Sequence, residues 1–250
     1  MKHRIPGSAA AVALLLLSAL RPAQAQLIPA AASSVPAPAR HSVGIAFDVG
    51  QPLGEFARNV GTAYGLDGFG ALGLDSRGIF SLRAQLGWVQ YSRKDETFWV
   101  QSAFGPFELE SVTKSGVLTL GAGPQLMAPS GNIRPYVAGT IGFSRFSTET
   151  AINIPASQSN SGTTEQLDQQ TISSDFIMSL TGTAGIAFHV GFLGNSAMGD
   201  LGVRYHHNGL ARYVSSDGVQ YNGTGDATVT PTTSDANFLT YRIGVVIPIR

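Results

Sequence analysis

The stretch Arg204-Tyr205-His206-His207-Asn208 holds the most reactive side chains of the sequence. Two imidazoles beside an arginine are material for acid–base work or for metal binding. Adjacent residues of an extended strand point to opposite faces, however, so His206 and His207 cannot ligate one ion together. The chain has no Cys, which removes thiolate metal sites and Cys nucleophiles. No metal and no cofactor are expected. Gly121-x-Gly123 and Gly182-x-x-Gly185 look like phosphate loops but open no helix, so they are read as close packing. The remaining candidates are isolated charges and polar groups set among Gly, Ala, Ser and Thr. They are Asp48, Asp67, Arg83, Arg204 and Arg242, with Gln85, Gln125, His189 and His206. A charge in a narrow interior needs a partner or water. The five charges are therefore expected to form one ionic cluster, which the two Gln bridge and the two His join.

These residues lie in segments that alternate with a period of two. The segments are His41–Gly50, Ala63–Asp75, Ile79–Tyr91, Gly116–Met127, Arg134–Phe146, Phe176–Val190, Leu201–His207 and Phe238–Ile249. In Ile79–Tyr91, Phe80, Leu82, Ala84, Leu86 and Trp88 alternate with Ser81, Arg83, Gln85 and Gly87. Such alternation marks a strand whose two faces meet different surroundings. About ten residues cross a bilayer when a strand is tilted. The other segments repeat the pattern, with one bulky apolar side and one small or polar side.

Charge decides which side faces inward. Only 13% of the residues are charged, against about 25% in soluble domains. All the Glu, and Lys94 and Lys114, fall between the alternating stretches. A water-soluble barrel would spread such residues over its outer face. The bulky side is thus predicted to face lipid and the small side a narrow lumen. The fold class follows: all-β, an eight-stranded antiparallel up-and-down transmembrane β-barrel over residues 41–250. Connections 75–78, 128–133 and 191–199 are short, whereas 50–62, 92–115, 147–175 and 208–237 are long. The short ones are expected to be periplasmic turns and the four long ones extracellular loops. An even strand count puts both termini on the periplasmic side. Aromatics near the strand ends, Tyr91, Tyr136 and Phe146 among them, are expected to form interfacial girdles.

The chain opens with Met1-Lys2-His3-Arg4, an apolar run Ala9–Leu20 too short to span a bilayer, and Ala23-Gln24-Ala25. This predicts a signal peptide over 1–25, followed by an Ala/Pro-rich periplasmic linker over 26–40. Zero formal net charge and a pI near 7.0 leave nothing to neutralise phosphates, so no nucleic-acid partner is expected. Residues 147–175 are rich in Ser, Thr, Gln and Asn and are expected to hold no regular structure. Residues 93–115 read as a hairpin. Its aromatics Trp99, Phe104 and Phe107 either grip a partner or lipid, or pack across the hairpin.

With its signal peptide, the segment Gly50-Gln51-Pro52-Leu53-Gly54-Glu55-Phe56, the run Gly202–His207 and the alternating strand Tyr241–Ile249, the chain resembles small eight-stranded outer-membrane barrels. These are the OmpA/OmpX/OmpW-type barrel domains and the outer membrane beta-barrel domain family. It departs from them in ending Pro248-Ile249-Arg250, where those proteins end on an aromatic residue. The resemblance implies a monomer in the cell outer membrane, in contact with its lipid and lipopolysaccharide, with an extracellular loop ligand unspecified. Three functions stay open. The first is a structural or interaction protein with a lumen plugged by polar and charged side chains. The second is a narrow pore or conduit for small or apolar molecules. The third is a lipid A-modifying enzyme, since Arg204–Asn208 resembles the deacylase segment with His206 at the His position. Asn208 stands where that family has its Ser nucleophile, so the chain is expected not to be an enzyme.

Overall fold

The computed structural model describes residues 41–102, 105–159, 162–190, 197–221 and 227–249. The expected signal peptide, the linker, Phe104 and Arg250 lie outside the described residues. Among the described residues there are twelve strands: β1 (His41–Pro52), β2 (Ala63–Gly73), β3 (Phe80–Ser102), β4 (Gly105–Met127), β5 (Ile133–Ile154), β6 (Glu165–His189), β7 (Met198–His207), β8 (Leu210–Tyr213), β9 (Val219–Tyr221), β10 (Ala227–Val229), β11 (Thr232–Asp235) and β12 (Phe238–Ile249). A single helical turn, α1 (Phe56–Asn59), lies between β1 and β2.

Eight of these strands close a ring in the order β1-β12-β7-β6-β5-β4-β3-β2, every pair antiparallel. The closing pair β1–β12 runs in unbroken register from His41 opposite Ile249 to Pro52 opposite Phe238. His41 and Ile249 therefore lie at the same rim, which also carries the short turns. A full ring leaves no strand edge exposed at that depth, which lipid requires.

Burial alternates as the sequence predicts. Ile45 is 61% exposed and Ala46 is 3% exposed. Leu66, Leu120, Ile141, Met178 and Ile243 are exposed on the outer side, whereas Asp67, Thr119, Thr140, Ser179 and Arg242 are buried within. Hydrocarbon outside and polar groups inside is the inverse of a water-soluble barrel.

Two of the expected loops are largely strand. β3 and β4 pair up to Ser102 opposite Gly105, and β5 and β6 pair up to Ile154 opposite Glu165. The expectation that 147–175 lacks regular structure is thus overturned. Thr and Ile favour strands, and two polar faces erase the alternation that signals a strand without removing the backbone ladder. β3–β6 run to 22–25 residues, whereas β1, β2, β7 and β12 stop at 10–12. Half of the wall consequently rises past the other half as a four-stranded sheet. The 208–237 connection supplies two small hairpins, β8–β11 and β9–β10. A left-handed Gly209 at φ 60° turns the chain from β7 into β8, a conformation that L side chains rarely adopt.

At the short-turn rim, Asp75 closes the β2–β3 connection. Its carboxylate accepts from the Phe80 N–H at 2.8 Å and the Arg77 N–H at 3.1 Å. These backbone donors, that of Phe80 foremost, hold its pKa below the ordinary value.

Candidate functional site: a lumen filled in two layers

Charged and polar side chains converge in the lumen, whose bottom is the rim with the short turns. β2 supplies Asp67, β7 supplies Arg204 and β12 supplies Arg242, and all three are buried. Arg204 grips Asp67 with both terminal nitrogens, Nη1 to Oδ2 at 2.7 Å and Nη2 to Oδ1 at 3.0 Å. Arg242 donates Nη2 to the same Oδ1 at 2.6 Å. Arg204 Nε donates to Thr183 Oγ1 at 3.2 Å. A forked pair of bonds from Arg204 and a single bond from Arg242 converge on one carboxylate and make a clamp across the barrel, since charge-assisted bonds are short and directional.

Asp48 stands directly opposite Arg242 in the ladder, with 4.0 Å between its Oδ1 and Arg242 Nε. Asp200 lies 3.6 Å from Arg242 Nη2 and accepts the Tyr136 hydroxyl at 2.8 Å. Arg204 and Arg242 thus share one level of the lumen with Asp48, Asp67 and Asp200. Arg83 is also fully buried, but it meets no carboxylate within ion-pair distance among the described residues. It donates Nη1 to Gln125 Oε1 at 2.9 Å and lies 3.5 Å above the Phe69 ring. Arg242 lies 5.4 Å from the centre of the same ring. A guanidinium over a desolvated ring is attracted by its quadrupole. Gly44 makes room for Phe69, because a Cβ there would overlap the ring.

The expected bridging role of the Gln residues needs correction. Gln125 serves Arg83, and Gln85 donates to Thr140 and Thr181, each at 3.0 Å. Thr140 and Thr181 also bond each other at 2.7 Å. The β5–β6 side of the lumen is therefore a hydroxyl ladder, outside the ionic cluster. His189 needs correction too. It shares the inward parity of Ala187, but β6 ends there, and the side chain is exposed at the rim.

Higher up, the filling changes character. Phe56 projects from α1 into the barrel and is 2% exposed. Its ring meets Tyr213 at 4.8 Å, Tyr91 at 5.5 Å, Phe146 at 6.1 Å and Phe238 at 6.4 Å between centroids, mostly edge to face. Aromatic quadrupoles favour that geometry. Val89, Val117, Ala63, Ala211 and Ala236 complete the cluster. The space left beside Phe56 is about 10 Å³, too little to pass a water chain. Asn59 Nδ2 donates to the Tyr213 hydroxyl at 2.9 Å and so ties α1 to β8. Tyr91, Tyr136 and Phe146 are therefore lumen fillers, and the expectation that they form girdles is overturned. Tyr64, Phe80, Trp88, Phe176, Tyr205 and Tyr241 are exposed outside, as expected of girdles.

His206 lies between the layers. Its ring stacks on Phe238 at 4.0 Å, and Nε2 lies 3.3 Å from Thr240 Oγ1. Asn208 accepts from Ser144 and donates to the Ala236 carbonyl. Both are buried in the lumen, away from the lipid face where an acyl ester would lie. His207 is on the outer face. Trp99 stays 62% exposed on the raised sheet. Phe107 pairs in the ladder opposite Val100 and is half-buried.

Sequence reasoning does not reach Asp200, Phe69, Tyr213, Phe238 and Phe56 as lumen residues. Parity would have found three of them, since Phe69 lies in step with Asp67 and Ala71, Asp200 with Gly202 and Arg204, and Phe238 with Thr240 and Arg242. Nothing local marks Phe56, which sits in a connection without alternation.

The closed ring, the even strand count, the lipid-type outer face and the polar lumen define an eight-stranded outer-membrane β-barrel. No family model matches the chain, and no curated protein matches it. Among solved structures, Neisserial surface protein A is 11% identical and covers 84% of this chain and 97% of its own, at a TM-score of 0.42. Ail, the attachment invasion locus protein of Yersinia pestis, is 12% identical over 83% and 95% at 0.38. The N-terminal β-barrel domain of Pseudomonas aeruginosa OprF is 12% identical over 82% and 96% at 0.32. Such likenesses carry no argument about the site; the architecture rests on the strand register and burial of this chain itself.

Proposed function

We propose that the protein is a non-enzymatic outer-membrane barrel with a closed lumen, which acts through the sheet it raises above the membrane. Both termini and the short turns lie in the periplasm in this reading. The observation that carries it is the double filling of the lumen, by the Asp67–Arg204–Arg242 clamp below and the Phe56-centred cluster above. An eight-stranded interior is just wide enough to be filled by side chains, and here both a polar and an apolar layer fill it. A lipid A deacylase needs its His and nucleophile at the lipid face, whereas His206 and Asn208 are spent on lumen contacts.

Single-channel recording in planar bilayers tests the closure. Wild type is expected to show no steady conductance. Phe56→Ala alone is expected to stay closed, because the clamp remains; Phe56→Ala combined with Asp67→Asn is expected to open in discrete steps. Steady conductance of the wild type overturns the closed-lumen reading and favours the narrow pore. For the orientation, an epitope tag at Ser159 is expected to be accessible on intact cells and one at Ser130 hidden. Labelling at Ser130 inverts the topology.

A further inference from the structure

Among the described residues, the buried Asp and Arg side chains of the lumen meet opposite charge, with one exception. Asp67, Arg204 and Arg242 hold one another, and Asp48 and Asp200 lie within 4.0 Å of Arg242. Arg83 is 0% exposed and has no such partner. The ladder explains this, since its neighbours across it are Ala71 on β2 and Gly123 on β4, and neither carries an acid. The guanidinium lies over the Phe69 ring, and Gln125 takes its Nη1. Nε and Nη2 are buried without a hydrogen-bond partner among the described residues. Together they form one edge of the guanidinium, the fork that matches two oxygens of a carboxylate or a phosphate. A buried charge is costly unless it is paired, so the balance of this region calls for an anion that the wall does not supply.

One inward step nearer the short-turn rim, at Ser81, the lumen holds a cavity of about 30 Å³. Ala71, which faces Arg83 in the ladder, and Gln125, which accepts from it, both line this space. Ser42, Ser81, His41 and Arg134 complete its polar lining, and no Asp or Glu lines it. Gln125 spends its amide oxygen on Arg83, which leaves its amide nitrogen as a donor. His41 Nδ1 is buried without a partner among the described residues. Arg134 binds the Ala128 carbonyl through Nε at 2.7 Å, which leaves its two terminal nitrogens. Asp75, on the same rim, has its carboxylate engaged by the N–H groups of its own turn. One water needs about 10–15 Å³ of such space, so the cavity has room for about two waters or for one small oxyanion.

We propose that this cavity binds a small oxyanion, a phosphate or carboxylate group, which Ser81, Gln125 and Arg134 hold and whose charge Arg83 balances. The inference goes beyond the closed-lumen reading and does not depend on it, since the cavity lies between the clamp and the rim in a closed or a conducting barrel alike. In the orientation proposed above, the ligand enters from the periplasm.

The test uses the full chain, labelled with nitrogen-15, in detergent micelles in a buffer without phosphate or carboxylate. The side-chain Nε–H resonance of Arg83, assigned by its loss in Arg83→Lys, is followed while inorganic phosphate, glycerol 3-phosphate or acetate is added. A saturable shift with at least one of them is expected. The tightest of the three distinguishes a free ion from the end group of a larger molecule, and a phosphate from a carboxylate. Gln125→Leu and Arg134→Gln are each expected to weaken the binding at least tenfold, whereas Arg77→Gln, an exposed cation in the turn of the same rim, leaves it unchanged. An unchanged heat-modifiability shift on cold gels checks that each variant folds, and Arg134→Gln, at the half-buried rim, provides a readout even where Gln125→Leu does not fold. No saturable shift with any of the three anions overturns the proposal. Equal shifts with chloride, or equal weakening by Arg77→Gln, reduce the effect to general charge attraction and overturn it as well.

Discussion

The lumen is filled twice, by materials of opposite kind. The lower layer is ionic: one carboxylate, Asp67, holds two guanidinium groups drawn from strands 137 and 175 residues away in the chain. The upper layer is aromatic and centres on Phe56, a residue from a connection rather than from the wall. The ionic layer binds through a few directional bonds whose loss leaves charges stranded in a low-dielectric space. The aromatic layer binds through area and shape, and can relax when one ring is removed. The lumen is therefore filled below by a brittle device and above by a compliant one.

Four variants bear on that contrast. The largest effect is expected at Asp67. Asp67→Asn keeps the shape but leaves Arg204 and Arg242 without their shared charge, and removing one partner of a buried ionic group costs about 3–5 kcal/mol. Urea unfolding in vesicles, followed by heat-modifiability, measures it. A cost under about 1 kcal/mol, the range of a solvated surface pair, would mean that water already carries the clamp, and the layer is not brittle.

Phe56→Ala comes next. Buried Phe→Ala changes cost about 3–5 kcal/mol, and α1 can settle into the hollow, so about 3 kcal/mol is expected by the same assay. A cost equal to that of Asp67→Asn would erase the compliant–brittle distinction. The double variant Phe56→Ala with Asp67→Asn tests whether the layers act independently. The two layers share no bonded partner, so the two costs are expected to add within about 0.3–0.5 kcal/mol. Strong coupling would point to His206, which stacks on Phe238 above the clamp, as a mechanical link.

Tyr213→Phe removes the hydroxyl that Asn59 and Ser234 use but keeps the ring. A loss of about 1 kcal/mol is expected, and a loss as large as that of Phe56→Ala would make the upper layer polar in its energetics.

The smallest effect is at the bottom rim. Asp75 has a folded pKa below its unfolded value, because backbone N–H groups stabilise its charged form. Its contribution is present above the unfolded value of about 3.9 and fades as the pH falls through the lower folded value. The difference in Tm between wild type and Asp75→Ala is therefore expected to be constant at neutral pH and to shrink below about pH 4. A difference that grows on acidification has the wrong sign for this cap.

The strands of the membrane band are legible in the sequence to within a few residues, since lipid on one side and a narrow lumen on the other imprint a strict alternation. Asp48, Asp67, Arg83, Arg204 and Arg242 are legible as lumen groups for the same reason. The raised sheet is not. Its residues meet water or polar neighbours on both faces, so Ser147–Ile154 and Glu165–Asp175 carry no period to read. The pairing of Arg83 is not legible either, because parity gives a face but no height in the lumen. In the barrel it is held by Gln125 and Phe69 rather than by an acidic partner.

Strand count, the lipid-facing side and the lumen charges other than Asp200 can be read along the chain, because side-chain direction in a strand is a local property with a period of two. Which charges meet, and what lies above them, depends on the closed ring. The Asp67 clamp exists because β12 pairs with β1 and brings Arg242 within 2.6 Å of a residue on β2. Phe56 is a core residue because the ring closes around it. Both facts depend on register between distant strands and on the diameter that eight strands impose, and neither is written in any stretch of neighbouring residues.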